Sequence, residues 1–107
     1  MTTYTVAGRD AVTTALATLL TGGTLVIEDA HGAPLSIHDI TGGTTAVGGS
    51  TWLSVAPATA TGTGIASRYT ARSAAGADVL TGTGPQLDRT DIEEGADVLI
   101  ESIRLEA

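Results

Sequence analysis

The stretch Thr63–Gly84, TGIASRYTARSAAGADVLTGTG, reads as a β-hairpin. In its first arm Ile65, Ser67, Tyr69 and Ala71 alternate with Ala66, Arg68, Thr70 and Arg72. A period of two is what a sheet with one buried and one wet face requires. Ser73–Ala77 supplies a loop, with Gly76 for the position that needs a positive φ. Asp78-Val79-Leu80-Thr81-Gly82 carries the chain back. Two arms alone bury too little apolar surface to stand in water, so the remaining residues must provide a second layer.

On the C-terminal side of the hairpin, Pro85–Arg89 reads as a short strand or bend and Thr90–Gly95 as a turn. Asp97–Leu105 reads as a closing strand whose apolar parity shifts between Ile100 and Ile103, which a bulge near Glu101-Ser102 would accommodate. On the N-terminal side, Thr24–Asp29 reads as a strand, Ala30–Ala33 as a turn, and Pro34–Ile40 as a returning strand with Leu35, Ile37 and Ile40 as its apolar positions. Pro34 suits the first residue of a strand or an edge. Thr41–Ser50 is rich in Gly and Thr and reads as a loop with a short strand at Thr45–Val47; Thr51–Val55 is another strand, ended by Pro57. Thr-Gly-Gly-Thr starts at 21 and at 41, and Thr-Gly-Thr-Gly at 61 and at 81. Nothing between these marks is alike, so they read as the evenly spaced turns of a meander or Greek key rather than as internal repeats.

The period changes ahead of the strands. Val12, Leu16, Leu19 and Leu20 fall on one face of a helix over residues 9–21, with Asp10 as N-cap and Gly22-Gly23 as its stop. Residues 1–8 are left as a lead-in arm. One domain spanning 1–107 is therefore expected: a mainly β fold, a small antiparallel β-sandwich or partly closed barrel over residues 24–105, with one short N-terminal helix covering an end.

Composition narrows the function classes. Hydrophobic residues make up 42%, yet there is no Phe, and Tyr4, Trp52 and Tyr69 are the aromatics. A core built mainly from Ala, Val, Leu and Ile buries less area per residue, at roughly 25 cal/mol per Å2. The 14 Gly raise the entropy cost of ordering the chain. A marginal monomer that gains stability from copies of itself or from a larger assembly is expected. Twelve Asp and Glu stand against five Arg with no Lys, a net charge of −7. Such a surface disfavours nucleic acid and anionic membranes as partners. The sequence has no cysteine for a disulfide, thiolate metal site or nucleophile. Its first residues lack the pattern of a signal peptide, and no apolar run approaches the roughly 20 residues that span a bilayer.

Candidate chemistry is thin. His31 and His38 neighbour Asp29 and Asp39, but the spacing fits no closed zinc pattern. With Leu35 and Ile37 facing inward, His38 faces out, and both histidines read as solvated. Asp88, Asp91, Glu93, Glu94 and Asp97 lack the regular spacing of a calcium loop and read as a solvated turn. Without Lys the Gly-Thr stretches are no phosphate loop, and no Gly-x-Ser-x-Gly elbow occurs. Hence no enzyme, metal or cofactor is expected. Trp52 reads first as the main core plug and otherwise as an interface anchor. Arg68 and Arg72, on the outer face of the hairpin, read as partners for carboxylates of a neighbouring strand or subunit. With Tyr4 on the lead-in arm, these are the candidate interface residues.

A short Ala/Leu helix followed by a Thr-Leu-x-Ile-x-Asp strand, here Thr24–Asp29, resembles the start of a group of small structural proteins of tailed bacteriophages. Thr61–Leu80 is similar to their later half in order and spacing: a Thr-Gly-Thr-Ala-like entry, an alternating strand with an aromatic and Arg core, a turn and a return strand. Gln86-Leu87-Asp88 and Gly95–Leu105 resemble their closing segments. The resemblance implies a virion structural protein, made in the host cytoplasm in many copies and self-associating. It points first to a capsid decoration or cement protein bound to the major capsid protein on the outside of the head. A tail tube or neck component comes next. A free carbohydrate- or surface-binding β-sandwich is the reading from another class.

Overall fold

A computed structural model describes residues 3, 5–43, 50–83, 91–100 and 103–106. Among these residues one helix, α1 (Val6–Leu20), precedes ten strands: β1 (Thr24–Glu28), β2 (Pro34–Gly43), β3 (Ser50–Val55), β4 (Ala58–Thr59), β5 (Gly64–Ile65), β6 (Arg68–Arg72), β7 (Asp78–Thr83), β8 (Asp91–Ile92), β9 (Asp97–Val98) and β10 (Ile103–Glu106). Six of them form a curled antiparallel sheet in the order β10-β3-β2-β1-β6-β7, a half-barrel. β1, β2 and β3 follow one another as neighbours, and β6 returns to lie beside β1, which is a Greek key. The return is made by residues 56–67. They carry β4 and β5, which pair with β9 and β8 as two short ribbons. The expected mainly β, partly closed architecture with one N-terminal helix is thus observed.

The hairpin that organises the sequence is β6–β7. Ala71 faces Leu80 and Tyr69 faces Gly82 across it. Its turn closes by Ser73 N–H donating to the Ala77 carbonyl, with Gly76 at φ +86°. The first arm is shorter than the alternation suggests. Ile65 lies in the β5–β8 ribbon and is exposed, and β6 begins only at Arg68.

β2 overturns one parity. Ile27 pairs with Ser36 and Glu28 with Pro34, so Leu35 is an extra residue in a bulge. Past it the faces exchange. Ser36, His38 and Ile40 point into the core, while Ile37 is 49% exposed. Leu35 itself stays buried, and its freed carbonyl accepts from Thr61 N–H at 2.8 Å. The bulge therefore binds the crossover to the sheet. A Cβ at Gly62 would crowd the Pro34 carbonyl, and one at Gly64 a Leu35 methyl.

α1 starts earlier than residue 9, so the lead-in arm is shorter. Thr5, not Asp10, is the N-cap: its Oγ1 accepts from Gly8 N–H at 3.1 Å. The buried face is also rotated, to Thr13, Ala17 and Leu20, with Leu16 partly covered and Leu19 exposed. Small side chains at 13 and 17 let the helix approach β2, β3 and β10 closely. Thr13 avoids an unpaired hydroxyl by donating to the carbonyls of Arg9 and Asp10. The stop at Gly22-Gly23 is as read, with Gly22 at φ +86° and Gly23 N–H donating to Leu20 O. Gly23 lies so close to the Arg72 carbonyl that a Cβ there would overlap it.

The closing segment is not one strand. Asp97-Val98 pairs with β4 and Ile103–Glu106 with β3, so the two halves serve different sheets. The stretch read as a turn at Thr90–Gly95 begins with strand β8 before turning at Glu93–Ala96. The expected bulge at 101–102, the short strand at 45–47 and the segment 85–89 lie outside the described residues. The core gathers Ala17 and Leu20 of α1, Leu25 and Ile27 of β1, and Leu53, Ile92, Val98 and Ile103 of later strands.

Candidate functional site

The outer face of β1 and β6 holds the first polar cluster. Glu28 is buried, and its Oε1 accepts from Thr70 Oγ1 at 2.8 Å and from Arg68 Nε at 3.3 Å. Strand register puts them together: Glu28 faces Arg68 across the β1–β6 pair. At the turn end of the hairpin, Arg72 Nε donates to Asp78 Oδ1 at 2.8 Å across β6–β7. Both arginines thus pair with carboxylates of neighbouring strands of their own chain. Arg68 and Arg72 remain about two-fifths exposed, and pairs of that kind add little stability.

The second cluster lies inside, where the sequence placed none. His38 is 0% exposed, not solvated. The Leu35 bulge exchanges the faces of the β2 residues from Ser36 to Ile40, and His38 goes inward with them. Nδ1 lies 2.8 Å from the Ala56 carbonyl, which can only accept, so Nδ1 carries the proton. Nε2 is then an acceptor, and Ser36 Oγ, also 2.8 Å away, donates to it. Burial holds the His38 pKa below its ordinary value, against the Ala56 hydrogen bond and the Asp39 charge, which raise it. The order Ser–His–acceptor has the form of a charge-relay arrangement, yet Ser36 is fully buried and cannot meet a substrate. Its role is to hold β2 to the point where the chain leaves β3. Ser36 and His38, two apart on one strand face, were the signal; Pro34, a residue suited to strand starts and bulges, marked where the parity breaks.

The remaining candidates sit at the surface. Asp29 Oδ1 accepts from His31 N–H and Ala33 N–H at 2.8 and 2.9 Å, an Asx turn that shapes the β1–β2 connection. Those amides, Ala33 first, hold its carboxyl below the usual range. His31 is exposed, as read. Asp91, Glu93, Glu94 and Asp97 are exposed along β8, a turn and β9. That turn is secured by Gly95 N–H on Ala60 O and Glu94 N–H on Thr63 Oγ1. Asp88 lies outside the described residues, as does Tyr4. Among the described residues no three His, Asp or Glu are grouped to hold a metal ion, and no helix is long and apolar enough to cross a membrane.

Trp52 is not the core plug. It is 39% exposed, while its neighbour Leu53 is 1% exposed and faces Ile103. Parity explains it: with Leu53 and Val55 inward, Trp52 and Ser54 point outward. Val6, Leu19, Ile37, Ile65 and Leu99 are also exposed apolar side chains. Comparison with protein-family models, with curated proteins and with solved structures returned no match.

Proposed function

We propose that this chain is a non-enzymatic structural subunit of a virus particle, a capsid decoration protein that docks on the outer surface of a phage head. The observation that carries the reading is how its side chains are spent. Of the buried polar groups, Ser36, His38, Glu28 and Thr70 are hydrogen-bonded to one another or to backbone and Arg9 Nε has no partner, while Trp52 and other large apolar residues stand at the surface. Polar groups tied up within the chain and apolar area turned outward suit a binding module. The net charge of −7 supports a place away from packaged DNA, so the partners are the major capsid protein or other virion proteins rather than nucleic acid or membrane. The order helix, Thr24–Asp29 strand, then Tyr- and Arg-bearing strand supports the phage resemblance.

The test is co-sedimentation of the purified chain with undecorated capsids. Saturable binding at a fixed copy number per capsid subunit, weakened by Trp52→Ala, is the expected result. A chain that ignores capsids but forms rings or tubes belongs to a tail or neck. A chain that does neither is a free binding module.

A further inference from the structure

We infer that β7 is a self-association edge, at which two copies of this chain pair β7 to β7 antiparallel about a two-fold axis and continue one sheet into the other. The inference deepens the assembly reading and rests on it for the expectation of a partner; the pairing itself belongs to the isolated chain. β7 ends the six-stranded sheet and, among the described residues, pairs only with β6. An edge strand leaves every second backbone N–H and C=O without a ladder partner, and natural edges are usually guarded by charge or proline. The other edge, β10, is half charged in sequence: Ile103-Arg104-Leu105-Glu106. β7 reads Asp-Val-Leu-Thr-Gly-Thr; its one charge, Asp78, is paired with Arg72, and its one irregularity, a bulge at Val79, lies at the turn end and leaves Leu80–Thr83 as a regular edge.

Among the described residues the core is also least covered at this corner. α1 packs on β2, β3 and β10, and β4 brings the ribbons onto β2. Tyr69, Val79 and Leu80 belong to the core yet remain only partly buried, and the Tyr69 phenol lies over Gly82 to fill part of the space. A second copy would cover Val79 and Leu80 with their own counterparts. Charge selects the same edge. A chain of net charge −7 repels its copies, and β7 is a stretch where close approach sets no unpaired charges together. An antiparallel strand pair is self-complementary about a two-fold axis, so one sequence satisfies both sides.

Sedimentation or light scattering of the full chain across a concentration series tests this. The expected species is twice the 10.7 kDa chain mass, and its dissociation constant should fall as salt rises. Thr81→Lys and Thr83→Lys, at exposed positions on one face of the edge, should weaken it, the one nearer the axis by about fivefold, because there the added charge meets its own copy. Thr59→Lys, an equal charge change on β4, should leave it unchanged. Circular dichroism confirms that each variant is folded. A monomer at all concentrations overturns the inference, as does a dimer that Thr81→Lys and Thr59→Lys affect alike. So does a monomer whose capsid binding is lost on Thr81→Lys, which would assign the edge to a capsid strand. A β7 dimer that ignores capsids leaves the inference standing and removes only the decoration reading.

Discussion

His38 cannot be protonated in place without harm. The proton would put a charge in a site sealed from water, and the Ser36 hydroxyl would have to turn from donating to Nε2 to accepting from it. Its pKa in the folded chain lies below the value of 6.5 it takes when unfolded. Between those two values the unfolded chain binds a proton that the folded one does not, so stability falls as pH drops below 6.5. Asp29 adds a second window. Its folded pKa lies below 3.8, so its contribution is present above that value and is lost as pH falls through the folded pKa. Urea midpoints should therefore decline on acidification in two ranges. His38→Gln should flatten the upper range relative to the parent, and Asp29→Ala the lower. His38→Ala, which strands Ser36 and Ala56 and leaves a cavity, should cost about 2–4 kcal/mol. An unchanged upper slope in His38→Gln would show that another group titrates there. Two glycines give a contrast at the same scale. A methyl at Gly23 meets the fixed backbone carbonyl of Arg72, whereas one at Gly82 meets the Tyr69 phenol, which can swing aside. Gly23→Ala should cost about 2 kcal/mol or more, and Gly82→Ala clearly less. Equal losses in denaturant melts would refute the distinction.

At the scale of elements, strand parity decides which residues matter. β3 puts Leu53 into the core opposite Ile103 and turns Trp52 outward beside it. Leu53→Ala should destabilise by about 2–5 kcal/mol. Trp52→Ala should cost less, although it removes far more side chain, and iodide should quench Trp52 fluorescence in the native state. A protected Trp52, or a larger loss there than at Leu53, would contradict the arrangement. In β2 one extra residue, Leu35, reverses the sense of the positions from Ser36 to Ile40. Its carbonyl then receives the Thr61 and Gly62 amides, so one bulge both buries His38 and anchors the 56–67 crossover. The helix shows the complementary case. Its bulkier stripe, with Leu19, loses to Thr13 and Ala17, because small side chains allow close packing on a curved sheet.

Taken whole, the molecule is elongated, 42 × 26 × 25 Å, with a core of modest side chains beneath one curled sheet. A thin core is sensitive to any partner that extends it, which is why an open edge at β7 matters more here than it would in a larger domain. Much of this was legible in the sequence. The hairpin followed from alternation around Gly76, the helix stop from Gly22-Gly23, the strand start from Pro34, and the exposed acidic turn from its spacing. These are local: backbone preference and a period of two or 3.6 act within a few residues. The Greek-key return of β6 to β1, the division of the closing segment between β4 and β3, and the burial of His38 were not legible. Each depends on which distant segment supplies the hydrogen bonds. An Ile27–Ser36 register leaves Leu35 over, and a free Ala56 carbonyl gives His38 its partner. By itself the sequence determined a small β-rich domain with one helix, an acidic surface and no cysteine chemistry. Only the tertiary structure decided which polar residues lie inside, because long-range pairing, not local pattern, sets the face each strand turns to the core.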